Sequence, residues 1–141
     1  MPQVIKLLGL RIYNKTRSYI LLRPTSEGLW EVPTISLRYN EDITNRMERI
    51  IREIGSPITI ISLVNIAEFT HEISDDLSFH NVVYDVRYRG KIHPGQCKKE
   101  TNGVGNVGKW ALLEDLVKHE SLAAPTQKLV ELMDSTPCLR Y

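Results

Sequence analysis

Cysteine is scarce in this sequence of 141 residues, which contains Cys97 and Cys138 and no others. Two residues are too few for a disulfide framework, and their separation does not fit the closely spaced ligand pairs of a structural zinc site. This scarcity predicts a reducing compartment, and we expect a cytoplasmic protein whose two thiols are inert.

Long apolar runs are also absent. The N-terminal sequence MPQVIKLLGLRIY is apolar in short pieces, and it lacks the basic region, continuous apolar stretch and small-residue cleavage site of a signal peptide. No segment reaches the roughly 20 apolar residues of a membrane-spanning helix. The sequence therefore predicts neither a leader peptide nor a membrane partner.

Several catalytic and metal-binding patterns are missing as well. The histidines show no HxxxH or HxH spacing, so a zinc site has little support. There is no Gly-x-Ser-x-Gly elbow and no P-loop. The segment GVGNVG at residues 103–108 precedes a predicted strand, so no helix N-terminus follows it to receive a pyrophosphate.

Neither sign of charge dominates, since 18 basic and 17 acidic residues give a net charge of +1. This balance does not favour attraction to nucleic acid or to a membrane surface, although a basic patch can still form locally. We also find no Lys/Arg stripe with interleaved aromatic residues, so a nucleic-acid partner is not expected. The length and the 42% apolar content predict one globular domain over residues 1–141.

The remaining pattern predicts strands interrupted by helices. Apolar runs at residues 4–13 and 18–22 flank the polar segment NKTR and predict a hairpin. The β-branched run at residues 58–67 predicts a strand that is buried on both faces. Further strands are predicted at residues 30–32, 79–88 and 109–112, a helical turn at 114–118, and a C-terminal helix at 125–133.

The strongest helical pattern begins at Asp42 and ends at Gly55 and Pro57. Its apolar residues recur at the spacing of a single helical stripe, and they are Ile43, Met47, Ile50, Ile51 and Ile54. Strands, an amphipathic helix, more strands and a closing helix predict an α+β fold, with helices covering opposite faces of a mixed sheet.

Residues 28–55 contain the motif that suggests a function. A turn with the sequence WEVPTI at residues 30–35 leads to the helical segment ERIIREIG at residues 48–55. This layout resembles the Nudix box, in which a Trp-x-x-Pro-Gly-Gly turn precedes a helix with the pattern Arg-Glu-aliphatic-x-Glu-Glu-x-Gly. The order of elements resembles that family over nearly the whole chain. The resemblance implies an α/β/α sandwich and, in active members, Mg²⁺- or Mn²⁺-dependent hydrolysis of a nucleoside diphosphate linked to another moiety.

The box of this sequence is degenerate. When Ile50 takes the aliphatic position, the three metal-ligand positions of the family fall on Arg49, Arg52 and Glu53. Arginine stays protonated, so it cannot coordinate a metal ion and it repels one instead. Glu53 is therefore the ligand that remains on this face.

Two further glutamates are candidate metal ligands. Glu48 lies one position off the expected face, about 100° around an ideal helix from its neighbour Arg49. In the preceding loop, where the alignment of residues 34–41 is short by one residue, Glu41 is the candidate for the loop glutamate of the family. Residual metal binding would then require Glu53 together with Glu41 or Glu48.

The resemblance also marks residues outside the helix. Arg23, at the end of a predicted strand, matches a basic position that in the family orients the loop or a phosphate. Glu100 lies in the glycine-rich region from which some members supply a catalytic base, so Glu53 and Glu100 are the candidate catalytic residues. Tyr84 is a candidate to stack on a nucleotide base and, with Arg23, Arg49 and Arg52, completes the predicted ligand-binding set.

Three interpretations of Arg49, Arg52 and Glu53 remain open. They form a solvated helix face, or the arginines pair directly with a phosphate or carboxylate of a ligand, or Glu53 retains metal binding. The second interpretation predicts a protein that binds a nucleotide- or phosphate-containing ligand with weak or no hydrolysis, and the third predicts a divalent-metal-dependent hydrolase.

The resemblance also bears on two kinds of partner, nucleic acid and a second copy of this chain. A noncatalytic nucleic-acid reader, similar to the Nudix-like domains of some DNA repair glycosylases, is disfavoured by the balanced charge. Dimers are common in the Nudix family, so a homodimer is compatible with the resemblance.

Overall fold

The computed structural model describes residues 3–37, 43–94, 108–116, 118–119 and 121–135. The strands are β1 (Gln3–Ile12), β2 (Tyr19–Pro24), β3 (Trp30–Glu31), β4 (Thr34–Leu37), β5 (Thr59–Ser74), β6 (Leu77–Arg89) and β7 (Lys109–Leu112). The helices are α1 (Ile43–Ile54), α2 (Leu113–Leu116) and α3 (Ala124–Ser135). Within these ranges, no helix is long and apolar enough to cross a membrane.

The strands form two sheets. The larger has the order β4-β1-β6-β5 and is mixed, because β1 is parallel to β6 while the other neighbours are antiparallel. The smaller has the order β3-β2-β7 and is antiparallel. The mixed sheet and flanking helices confirm the predicted α+β fold class.

Alternating side chains along β2 enter two hydrophobic layers, since Leu21 lies in one and Ile20 and Leu22 lie in the other. The even-numbered Leu8, Leu10 and Ile12 pack with the apolar stripe of α1. The second layer joins the other side of β2 to α3, and it contains Ile20, Leu22, Val32, Val83, Ala111, Leu116, Leu122, Leu129, Val130 and Met133. The two long helices therefore cover different faces, as the sequence predicts.

The strands of the predicted N-terminal hairpin both form, but they belong to different sheets. An isolated antiparallel bridge between Tyr13 and Ile20 joins them at the turn. Beyond it they separate, because both edges of β1 are occupied by β4 and β6, while β2 pairs with β3 and β7. The hairpin prediction is therefore correct for the strands and wrong for most of their pairing.

The prediction that residues 58–67 are buried on both faces is wrong. Residues 59–67 belong to β5, the edge strand of the larger sheet, where Ile61 and Val64 are 51% and 48% exposed. A β-branched composition indicates that a segment fits a pleated strand, but it does not distinguish an edge strand from a central one. The two inner positions of this sheet belong to β1 and β6.

His119 makes the stability of the fold depend on pH. Its Nε2 lies 3.1 Å from Nζ of Lys109, and its Nδ1 accepts the backbone N–H of Ser121. Burial, followed by the nearby charge of Lys109, lowers the pKa of His119 below its ordinary value of 6.5. The unfolded chain therefore binds this proton more readily than the folded protein does.

We expect the free energy of unfolding to decrease as the pH falls below 6.5 and to level off below the folded-state pKa of His119, because the lowered pKa favours neutral histidine in the fold. Urea denaturation between pH 8 and pH 5 measures the effect. The other histidines are present in a His119→Asn control, so its stability should change less over the same range. Equal changes in both proteins would contradict this assignment.

Candidate functional site

Helix α1 places the residues of the segment ERIIREIG. Met47, Ile50 and Ile54 are buried against the larger sheet, with exposures of 6%, 0% and 0%. The helix ends at Gly55, whose φ of 75° lies in the left-handed region that glycine adopts without a steric penalty. This packing fixes the rotation of the helix and directs the opposite side, with Glu48 and Arg52, into solvent.

Glu53 is buried and forms an ion pair with Arg23. The Arg23 side chain is fully buried, and its Nη1 donates a hydrogen bond to Oε1 of Glu53 at 3.0 Å. Its Nη2 donates to the backbone carbonyl of Thr34, and its Nε lies 3.6 Å from Oε1 of Glu31. One guanidinium therefore joins the last turn of α1 to β2, β3 and the start of β4.

The sequence prediction named Arg23 and Glu53 separately, and the structure brings them together. It did not identify Glu31 or the Thr34 carbonyl as their partners. Glu31 lies directly opposite Arg23 in the antiparallel pair of β2 and β3, so the cross-strand register is the signal that could have identified it. Thr34 contributes backbone, which the sequence does not mark.

Arg49 and Arg52 lie on the outer side of Glu53. Arg52 is exposed, whereas Arg49 is half-buried and its Nε is inaccessible to solvent. With Arg23, Glu31, Glu48 and Glu53, these residues place three cations and three carboxylates around the last two turns of α1. The formal charges there balance, where the Nudix pattern would place an excess of acidic side chains.

The described residues of this site do not fit a divalent metal ion. Magnesium requires oxygen ligands in near-octahedral geometry, but one oxygen of Glu53 is already bound to Arg23. Arg49 and Arg52, at the other two predicted ligand positions, add repulsion. In the part of the chain that the structure describes, no group of three or more His, Cys, Asp or Glu side chains could hold a metal.

Two other predicted site residues, Glu48 and Tyr84, are not brought to this network. Glu48 is exposed, and Tyr84 is half-buried against the hydrophobic cluster between α1 and the sheet. Glu41 and Glu100, predicted as a metal ligand and a catalytic residue, lie outside the described residues.

Arg46 is a structural residue of the site that the sequence prediction missed. It is 8% exposed, and its Nε and Nη2 donate to the backbone carbonyl of Ser36 at 2.9 Å and 2.7 Å. These bonds hold β4 against the first half of α1, so they fix the strand that leads into the helix. No spacing in the sequence distinguishes this arginine from Arg49 or Arg52.

Comparisons with known proteins identify the architecture. No protein-family model and no curated protein matches the sequence. Among solved structures, a MutT structure from a study of the Aliivibrio salmonicida and Vibrio cholerae proteins is 21% identical, with a TM-score of 0.65 over 94% of this chain and 98% of that chain.

Two other solved structures give the same result. The E. coli ORF135 protein is 20% identical, with a TM-score of 0.69 over 99% of this chain and 94% of that chain. A MutT NUDIX hydrolase from Burkholderia pseudomallei is 19% identical, with a TM-score of 0.66 over 92% and 97%. These similarities extend over almost the whole length of each chain, and they establish that this protein has a Nudix-like fold.

Proposed function

We propose that this protein binds a nucleotide or another phosphate-containing ligand at the outer face of α1 and that it hydrolyses the ligand weakly or not at all. The observation that supports this proposal is the composition of the site, where Arg49 and Arg52 replace acidic residues beside a glutamate that is bound to Arg23. In this view the arginines supply the positive charge that a metal ion supplies in an active Nudix hydrolase.

Arginine is suited to this role. Its planar guanidinium binds phosphate oxygens through two parallel N–H donors, and it keeps its charge at every physiological pH. The two residues are three positions apart, so they lie on the same side of the helix and can contact adjacent phosphates. Half-burial of Arg49 strengthens such a bond, because the surrounding dielectric constant is lower than in water.

Poor retention of a metal is the reason for weak turnover. Metal-dependent hydrolysis needs an ion that polarises the phosphate and lowers the pKa of the attacking water. At the predicted ligand positions on α1, the site offers the remaining oxygen of Glu53 to that ion. Arg49 and Arg52 offer no ligand and repel it. We therefore expect ligand binding to survive where classical Nudix catalysis does not.

The proposal extends to location and partners. The small number of cysteines suits a reducing compartment, and we propose a cytoplasmic protein whose partner is a small ligand. A homodimer is compatible with this proposal.

We expect Arg49→Ala and Arg52→Ala each to weaken binding of ADP by about tenfold, because each substitution removes a charge-assisted hydrogen bond. The dissociation constant is read from backbone amide NMR shifts of residues 48–55 during a titration in EDTA. Lys128→Ala removes an exposed cation from α3 and is the matched control. Unchanged affinity in both arginine variants would contradict direct contact with the phosphates.

Hydrolysis is tested with a panel of nucleoside diphosphate compounds and Mn²⁺. The proposal predicts little or no product, in amounts that are the same for the wild type and for Glu53→Gln. Efficient turnover by the wild type that Glu53→Gln abolishes would establish the metal-dependent hydrolase instead, provided that circular dichroism shows the variant to be folded.

A further inference from the structure

A basic groove lies at the end of the larger sheet where β1 and β6 finish. It consists of two adjoining cavities of about 290 Å³ and 380 Å³, which share Asn14, Lys15 and Tyr88 in their walls. None of the residues that line them belongs to the network of Arg23, Glu31 and Glu53. The groove is therefore built from different side chains than the candidate site on α1.

The groove concentrates positive charge in a protein of almost zero net charge. Lys15, Arg17, Arg87 and Lys91 line the two cavities, and none of the described lining residues is acidic. Lys15, Arg87 and Lys91 are exposed, and the Arg17 side chain is 37% exposed. An anion that enters the groove would contact cations from the β1–β2 turn and from the end of β6.

A buried ion cluster beneath the groove orients Arg17. Asp85 lies 3.3 Å from Nε of the fully buried Arg11 and 3.4 Å from Nη2 of Arg17. The guanidinium of Arg17 also packs over the Tyr13 ring, 4.6 Å from its centre. Asp85 is shared by Arg11 and Arg17, and its contact with Arg17 holds that guanidinium at the wall of the groove.

Aromatic side chains form part of the walls. Tyr88 borders both cavities, and its hydroxyl donates to the backbone carbonyl of Tyr13 at 2.8 Å, which fixes the ring. Burial raises the pKa of Tyr88 above its ordinary value, so the hydroxyl remains a donor at neutral pH. Trp110 and Ile92 line the larger cavity, and Trp110 is half-buried. These groups provide an apolar surface next to the cations.

We infer that the basic groove is a second ligand site, which takes a free nucleotide with its base against Tyr88 and Trp110 and its phosphates among Lys15, Arg17, Arg87 and Lys91. An aromatic base stacks on side-chain rings, and phosphates bind lysine and arginine. Each cavity is close to the lower end of the 300–1,000 Å³ range that is typical of small-molecule pockets. This size favours a mononucleotide over an extended strand.

The test is an NMR titration with ADP in EDTA that follows the indole N–H of Trp110. We expect this signal to shift in the wild type and the affinity to fall by about tenfold or more in Lys15→Glu/Arg87→Glu, because two phosphate contacts become repulsive. The control Lys118→Glu/Lys128→Glu changes the net charge equally at exposed positions elsewhere and should bind like the wild type.

Three outcomes would overturn the inference. In the first, ADP does not shift the indole signal of Trp110. In the second, the two charge-reversed proteins bind ADP with equal affinity. In the third, the indole signal shifts with oligo-dT but not with ADP. The result is separable from that of the α1 site, because the amides of residues 48–55 report there. Melting temperatures of both variants close to that of the wild type establish that the groove variants are folded.

Discussion

Replacing Arg23 with alanine should lower the free energy of unfolding by about 3–5 kcal/mol, since removing one partner of a buried ion pair leaves an uncompensated charge. Glu53 is 6% exposed, and the Glu31 side chain is 13% exposed, so water reaches neither carboxylate easily. The substitution also removes the donor that binds the Thr34 carbonyl. For a chain of this length we expect the melting temperature to fall on the order of 10 °C.

The matched control is Arg52→Ala, which removes an exposed arginine from the same helix. It should change the free energy of unfolding by less than about 0.5 kcal/mol, as is usual for surface substitutions. A double-mutant cycle with Glu53→Gln isolates the energy of the pair, because the two side chains are in contact. If Arg23→Ala melts at the same temperature as Arg52→Ala, the ion pair does not stabilise the fold.

Replacing both arginines with glutamate, in Arg49→Glu/Arg52→Glu, should create a metal site. The substitution changes the local charge by four units and places two carboxylates beside Glu53, enough to hold Mg²⁺ or Mn²⁺ together with water. The melting temperature should then rise with Mn²⁺ concentration, and the stabilisation would reach about 2.7 kcal/mol when the metal is at 100 times its dissociation constant. The shifts that ADP causes in EDTA at the amides of residues 48–55 should be lost.

The wild type and Lys118→Glu/Lys128→Glu are the controls for this experiment. Both keep the arginines of α1, and the charge-reversed control has the same net charge as the designed variant. Neither should be stabilised by Mn²⁺. A rise in the melting temperature that is equal in all three proteins would show that the metal binds elsewhere and that the positions on α1 are not equivalent to the Nudix ligands.

The features that could be predicted from the sequence are those that follow from a repeating pattern within one helix or strand. The apolar stripe of α1 requires one rotation of the helix, and this rotation correctly places Arg52 and Glu48 outside. It does not reveal that Glu53 turns inward, because the partner that neutralises it, Arg23, lies on a strand 30 residues earlier in the chain. Burial of a carboxylate depends on that tertiary contact, which no helical period records.

The basic groove shows the same limitation over a longer distance. Lys15 and Arg17 belong to the first turn, and Arg87 and Lys91 lie about 70 residues later. Parallel pairing of β1 and β6, with Arg11 beside Asp85, brings the two groups together. The sequence predicts both strands, but it does not predict that they are neighbours or that they run parallel. These four basic residues therefore look scattered along the chain. The net charge of the whole protein does not reveal the basic patch that they form.

The central claim is that guanidinium groups, and not a metal ion, hold the ligand at α1. Its most direct test is the ADP titration of the wild type, followed by the amides of residues 48–55, in EDTA and again in excess Mg²⁺. We predict shifts under both conditions, with an affinity in EDTA at least as high as in Mg²⁺, because free ADP carries more negative charge than its magnesium complex. Shifts that require Mg²⁺, accompanied by conversion of ADP to AMP and phosphate, would contradict the claim.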